Sequence, residues 1–419
     1  MHLGKLANGI QLINFLKNNG TIPCMRSIKD IKSQYNYLII GAGRQGTAAA
    51  YDLAKFGDAR SITLADKDIG TAEKSAKRIN DLIGKSIAEG TKLDASNRID
   101  LRSLMVSKDA VLSAVPYYFN LDITLAALES NVHLCDMGGH TETVWKQLAF
   151  NRNAREAGIS IIPDCGMGPG LINTMGSYVF ELLDEVKDII IYDAGLPQQM
   201  EPPWYYKSTF NLNGLTNEMN GKSTVLRDGK ITLIDTLTEP EMVNIPNIGI
   251  LEADLISGGA STAPWSFEGK LQRYENKTLR HPKHWEWMRA FKTLGLFSEE
   301  SIEIEGKSVI PRQVFHTLLA YHLNEEIIKD IAIIQVKATG KKNGNNSTLF
   351  IDLLDYYDES TGFTAMERLT GWHCAIMMGF QVRGEIEPGS KPVESAILAS
   401  KFMSAIKERN IHYQIRYSF

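Results

Sequence analysis

At 419 residues the chain exceeds the roughly 250 to 300 residues at which one hydrophobic core stops growing, so two domains are expected. Apolar residues at 43% and charged ones at 22% match an ordinary globular protein, which excludes a disordered or fibrous chain. A net charge of -4 without interleaved basic and aromatic runs argues against nucleic acid, and no apolar stretch reaches the roughly 18 to 20 residues of a membrane span.

Residues 1–34 read as an N-terminal extension with a short peripheral helix at 6–16, where Asn8, Gln11 and Asn14 break the apolar run that a secretory signal needs. From 37–40 a regular alternation begins: strand, glycine loop, helix at 47–56, strand at 61–65, helix at 69–83. It continues with strand 110–115 stopped by Pro116, helix 121–130, strand 132–136, helix 145–156 and strand 159–162. Such alternation implies a doubly wound parallel α/β sheet covered on both faces, a Rossmann domain over 35–165.

Beyond it the pattern changes to strands at 186–192, 223–227, 301–304, 331–338 and 348–352 joined by turns, the last two around an Asn343-Gly344 turn. This predicts an α+β second domain over 166–363 with a largely antiparallel sheet, followed by a helical tail over 364–419. Cys24, Cys135, Cys165 and Cys374 form no CxxC pair, so they suggest neither disulfides nor a metal site but reduced thiols in a cytoplasmic protein.

Gly41-Ala42-Gly43-Arg44-Gln45-Gly46 follows a strand and opens a helix, the setting in which G-x-G-x-x-G binds a dinucleotide. Gly41 permits the tight turn, Gly43 lets backbone approach the pyrophosphate, and Gly46 lets helix and strand pack closely. The helix N-terminus supplies unpaired N–H groups. Asp66 closes the second strand 20 positions beyond Gly46; a carboxylate there accepts from the ribose 2'-OH and repels a 2'-phosphate, favouring NAD over NADP.

Ser113, Val115 and Pro116 close the strand at 110–115 and, with Tyr117 and Tyr118, either contact the nicotinamide half or pack beneath the loop. Asp136-Met137-Gly138-Gly139-His140 ends the next strand and makes Asp136 and His140 the acid-base candidates. Asp164, Gly168, Pro169 and Gly170 lie in a glycine-rich loop joining the domains and opening a helix at Leu171, where an anion could dock or the chain could hinge.

These blocks resemble the saccharopine dehydrogenase-like superfamily, most closely its lysine 6-dehydrogenase branch. The resemblance runs from Tyr37 through Gly41 to Gly46, Thr63-Leu64-Ala65-Asp66, Asp136 to His140, Ile161-Ile162-Pro163-Asp164, Glu201-Pro202-Pro203, Ser257-Gly258-Gly259, Lys277-Thr278-Leu279-Arg280 and Thr364-Ala365-Met366. It implies that the tail returns to the dinucleotide domain, that the protein is a homo-oligomer, and that the substrate is a small amine with an amino-acid head group.

Tyr206, Lys207 and Arg280 then become substrate-binding candidates, with Arg280 as a bidentate carboxylate clamp. The implied activity is NAD-dependent oxidative deamination of the ε-amine of L-lysine, by hydride transfer and imine hydrolysis. The alternatives are a saccharopine-type enzyme acting on a secondary amine with NAD(P), and an NAD-binding sensor or scaffold without turnover. Cys165, Met167, Pro282 and Lys283 depart from the branch's pattern and leave the exact amine open.

Overall fold

A computed structural model describes residues 34–418 apart from Asn324 and Glu326; the expected helix at 6–16 and Cys24 lie outside the described residues. In chain order the strands are β1 (Tyr35–Ile40), β2 (Ala59–Asp66), β3 (Ala88–Lys92), β4 (Ala110–Ser113), β5 (His133–Asp136), β6 (Ser160–Ile162), β7 (Glu185–Pro197), β8 (Lys222–Arg227) and β9 (Lys230–Asp235). They continue as β10 (Glu241–Ile245), β11 (Gly249–Leu255), β12 (Arg273–Arg280), β13 (Ile302–Ile304), β14 (Lys307–Val309), β15 (Asp330–Lys342), β16 (Asn345–Tyr356), β17 (Gly389–Ser390) and β18 (Tyr413–Ser418).

The first sheet has seven parallel strands in the order β17-β6-β5-β4-β1-β2-β3. Strand order reverses between β1 and β4, so a crevice opens where Gly41 and Ala114 leave the sheet. The helix Ile69–Ile83 has the bounds read from the sequence, because Asp68 caps it by accepting from Gly70 N at 3.0 Å and Gly84 closes it with a left-handed φ of 69°. The single helix expected at 145–156 is instead two, Thr141–Leu148 and Asn151–Glu156; Phe150 N turns tightly onto Gln147 O at 3.1 Å and breaks the ladder.

The second sheet has nine strands, with β10-β11-β12-β7-β15-β16-β18 in order and the hairpin β8–β9 attached to β12. Its pairs are antiparallel except β12 with β7. Asn343 and Gly344 both take positive φ, 52° and 79°, as the two-residue β15–β16 turn requires. One face of this sheet buries Ile189, Ile191, Ile334 and Val336 with Ile172 and Met175 of the helix Leu171–Leu182. The other buries Tyr192, Leu196, Ile331 and Ile333 with Trp285, Met288, Phe315 and Leu319 of two covering helices.

The tail crosses between the sheets. β17 extends the first sheet beside β6, and Gly371 packs so closely on the helix Arg44–Phe56 that a Cβ there would lie 2.7 Å from Gln45 O. Arg409 makes a two-pronged ion pair with the fully buried Asp52, at 2.7 and 2.9 Å. The last strand departs from the all-helical tail expected, because β18 pairs antiparallel with β16 of the second sheet. Among the described residues no helix is long and apolar enough to cross a membrane.

Candidate active site between the two sheets

The glycine loop after β1 is shaped for a dinucleotide. A Cβ at Gly41, whose φ is +100°, would lie 2.5 Å from Ala114 O, and one at Gly46 would lie 2.0 Å from Gly41 O. Neither contact can be relieved, since both partners are backbone. A Cβ at Gly43 would meet nothing within 4 Å, so open space stands against the N-terminus of the helix Arg44–Phe56, where a pyrophosphate would lie. Asp66 accepts from Ala42 N at 2.9 Å and Asp68 N at 3.1 Å, which ties the end of β2 to the loop. Arg44 Nε donates to Glu367 Oε1 at 2.6 Å, and Gln45 Oε1 is enclosed without a partner.

The loops after β4, β5 and β6 meet at the same mouth. Ser113 is buried and donates to Asn120 Oδ1 at 2.7 Å, so it braces the turn Tyr117–Phe119, while Val115 Cγ1 would be 3.1 Å from a Cβ at Gly41. Pro116 leads into Tyr117, whose ring lies parallel to that of His140 at 4.6 Å. His140 is exposed and caps the helix Thr141–Leu148, its Nδ1 accepting from Thr143 N at 3.3 Å.

Asp136 is wholly buried, and both its oxygens are engaged: Gln147 Nε2 donates at 2.7 Å, Gly138 N at 2.8 Å and Asp164 N at 3.1 Å. Burial raises its pKa despite those donors. A carboxylate engaged in this way ties the loop after β5 to the loop after β6.

Asp164, in the loop after β6, is the less fully engaged of the two acids. Its Oδ2 accepts from Ser261 and its Oδ1, packed against Gly138, has no partner. Burial and the neighbouring Asp136 charge push it up to about 7. In the same loop Gly170 takes φ +133°, with Gly166 O 2.0 Å from where a Cβ would be, and Gly168 approaches the second domain: its Cβ position is 3.1 Å from Asp193 Oδ2. The Gly168-Pro169 peptide is cis.

Asp193 belongs to a polar pocket on the second sheet. It stands opposite Thr278 in the β7–β12 register, and Asn276, Thr278 and Arg280 share that face by the two-residue period of a strand. Asn276 Nδ2 donates to Asp193 Oδ1 at 2.7 Å. Arg280 is 2% exposed, lies over the rings of Tyr206 at 4.9 Å and Trp285 at 5.9 Å, and donates Nη1 to Leu279 O at 2.8 Å. Its Nε has no partner, nor do Asn276 Oδ1 and His284 Nε2.

Buried polar atoms are rarely left unsatisfied, so the group around Arg280 is a candidate ligand site. The structure brings Tyr206 and Arg280 together, whereas Lys207 pairs with Glu325. Burial and Arg280 push His284 down to about 3, so it is a neutral imidazole. Sequence reasoning missed Asp193, Asn276 and His284; the alternation of Asn276, Thr278 and Arg280 was the available signal.

The fold and these sites define a two-domain nicotinamide-dependent oxidoreductase. Two family models match, the saccharopine dehydrogenase NADP binding domain over residues 37–162 and the saccharopine dehydrogenase C-terminal domain over residues 166–411, and the chain belongs to the saccharopine dehydrogenase family. It is 23% identical over 304 residues to carboxyaminopropylagmatine dehydrogenase of Synechocystis sp., covering 67% of this chain and 71% of that protein. It is 26% identical over 339 residues to carboxynorspermidine synthase of Vibrio cholerae, covering 75% and 80%. The solved saccharopine dehydrogenase (L-Glu forming) of Saccharomyces cerevisiae shares the fold, with a TM-score of 0.77 and 17% identity over 92% of this chain and 100% of that one.

Proposed function

We propose that the chain catalyses nicotinamide-linked hydride transfer at a carbon bonded to nitrogen, in a substrate whose amino-acid head group is held by Arg280. The observation that carries this reading is the cluster of unpartnered buried polar atoms around Arg280, joined through Gly168 and Asp193 to the loop holding Asp164. Nicotinamide, when bound, supplies the hydride acceptor or donor. The chain's part is to anchor the carboxylate with the Arg280 fork, orient the reacting carbon toward the β4–β6 loops, and take the amine proton. Asp164, poised near neutrality, suits that last task. Anchoring the substrate rigidly can contribute up to roughly 7 to 11 kcal/mol to the rate.

The reacting nitrogen is a secondary amine in the reading the relatives support, since their names specify carboxyaminopropylagmatine, carboxynorspermidine and saccharopine. The second reading is the ε-amine of L-lysine, favoured by the lysine 6-dehydrogenase-like blocks and by Asp66, whose carboxylate suits NAD. We take the cofactor as NAD on that residue, although a relative in Pyricularia oryzae carries NADP in its name. Supplying L-lysine alone with NAD distinguishes the two amines: reduced cofactor plus ammonia supports the lysine reading. Consumption of reduced cofactor only when an aldehyde and an amino-acid amine are given together supports the secondary amine.

A further inference from the structure

Two buried atoms beside the Tyr206 ring are open, and they are of opposite kinds. Arg280 Nε is a donor without an acceptor, and His284 Nε2 has no partner either. The Tyr206 ring touches both side chains, with its centroid 4.9 Å from the Arg280 guanidinium carbon and 4.8 Å from the centre of the His284 ring. His284 is fully buried and sits in the first turn of the helix Pro282–Thr293, shortly after Arg280 ends β12.

The chemistry of Nε2 follows from the other ring nitrogen. Nδ1 lies 3.0 Å from Trp204 O, a carbonyl that can only accept, so Nδ1 carries the proton and donates. Burial, the Arg280 charge and the positive end of the helix all disfavour a second proton, and the ring stays neutral. Nε2 therefore presents a bare lone pair enclosed in protein, with nothing to accept from. The loop that fixes this tautomer is itself anchored. The Trp204 ring packs against Trp287 at 5.9 Å and His322 at 5.4 Å, and the Tyr205 ring stacks on His281 at 4.0 Å. Holding that loop needs Nδ1 alone, so the unmet acceptor on the far side of the ring is left over from any purely structural role.

We infer that His284 is a specificity-determining residue of the substrate pocket: its Nε2 accepts from the α-ammonium of a head group whose carboxylate lies on Arg280. A carboxylate adjoining an N–H donor is the ligand that meets an open donor and an open acceptor around one ring, and a cationic donor makes the stronger bond. The head group is thereby read twice, by its acid through the guanidinium and by its amine through the imidazole. The second reading depends on Trp204 O, which sets the tautomer. This inference rests on the function proposed above for its amine substrate, but its test reads binding rather than turnover.

Isothermal titration of the protein saturated with NADH decides it, with L-lysine set against 6-aminohexanoate and carboxynorspermidine against the same molecule lacking its α-amine. Each pair differs at that group alone. In the wild type the member with the α-amine should bind about 10- to 100-fold more tightly. His284→Asn keeps an amide N–H for Trp204 O but has no atom at the Nε2 position, so the preference should fall to within about threefold. His284→Gln puts an amide oxygen near that position and should restore most of it. His284→Phe, which fills the ring's space without either nitrogen, should lose the preference as well. A purely structural histidine predicts a different order, with Asn resembling the wild type. Melting temperature and NADH affinity identify any variant that fails to fold.

A wild type that binds both members of each pair alike, or a preference that survives in His284→Asn and His284→Phe, would overturn the inference. Equal binding of the α-hydroxy analogue of lysine would do so too, by assigning the lone pair to a hydroxyl. A His284-dependent preference with no amine turned over would sink the proposed function and leave this inference standing. Turnover of an amine without that preference would do the reverse.

Discussion

Replacing Arg280 with lysine tests the substrate pocket most sharply, since charge is kept while the planar fork is lost. Arg280 commits Nη1 to Leu279 O at 2.8 Å and leaves Nε unpartnered, so Nε with the second terminal nitrogen forms the edge that a carboxylate can meet at two points. An ammonium offers one such contact and cannot lie flat over the Tyr206 ring, now 4.9 Å from the guanidinium carbon. Losing one charge-assisted hydrogen bond costs about 1.5 to 3 kcal/mol, or one to two decades in affinity. Steady-state kinetics should therefore show the amine substrate's KM rising about 10- to 100-fold while the cofactor Kd, from protein fluorescence, stays put. An unchanged substrate KM in a variant that still folds would place the head group elsewhere.

Further substitutions address the other parts of the site. Asp66→Ser should weaken NAD and narrow its advantage over NADP, because the ribose acceptor and the repelling charge vanish together; comparing the two dissociation constants checks it. Asp164 is held at about 7, and its proton-accepting form grows as pH rises through that value, so kcat/KM should climb across it. In Asp164→Asn that limb should disappear from the pH profile, and a surviving limb would assign the proton to another group. Asp52→Ala strands the buried Arg409 charge and should cost about 3 to 5 kcal/mol in denaturant unfolding, as the rule for a broken buried pair gives.

Most of the dinucleotide half was legible because its signals are local. Glycine spacing and short apolar runs on a parallel sheet report on neighbouring residues, whereas β3, Ala88-Glu89-Gly90-Thr91-Lys92, has no apolar run and was not read, nor was the helix Arg98–Met105. In the second half the apolar strands β7, β15 and β16 were legible, as were β8 and β13 in large part, whereas β9, β10 and β11 were not read. β12 escaped because it reads Arg273-Tyr274-Glu275-Asn276-Lys277-Thr278-Leu279-Arg280, with too many charges for a hydrophobic period. In the fold those charges have partners, Glu275 with Arg227 and Arg273, and Lys277 with Glu241.

The different settings of Asp136 and Asp164 were hidden for a similar reason. Asp136 ends β5 and Asp164 follows β6 in the same sheet, and only the donors around them distinguish a carboxylate with both oxygens engaged from one with a single oxygen engaged. Arg280 was found by its kind, but Asp193 beside it in the sheet comes from β7, and nothing in the local text joins them.

The central claim, hydride transfer at a carbon–nitrogen bond of a carboxylate-bearing amine, is tested most directly by following reduced nicotinamide when the protein and NAD meet carboxynorspermidine, saccharopine, L-lysine and matched hydroxy acids. The account predicts that at least one amine reduces the cofactor, that Arg280→Lys raises its KM, and that the hydroxy acids are inert. Turnover of a hydroxy acid with every amine inert would contradict it.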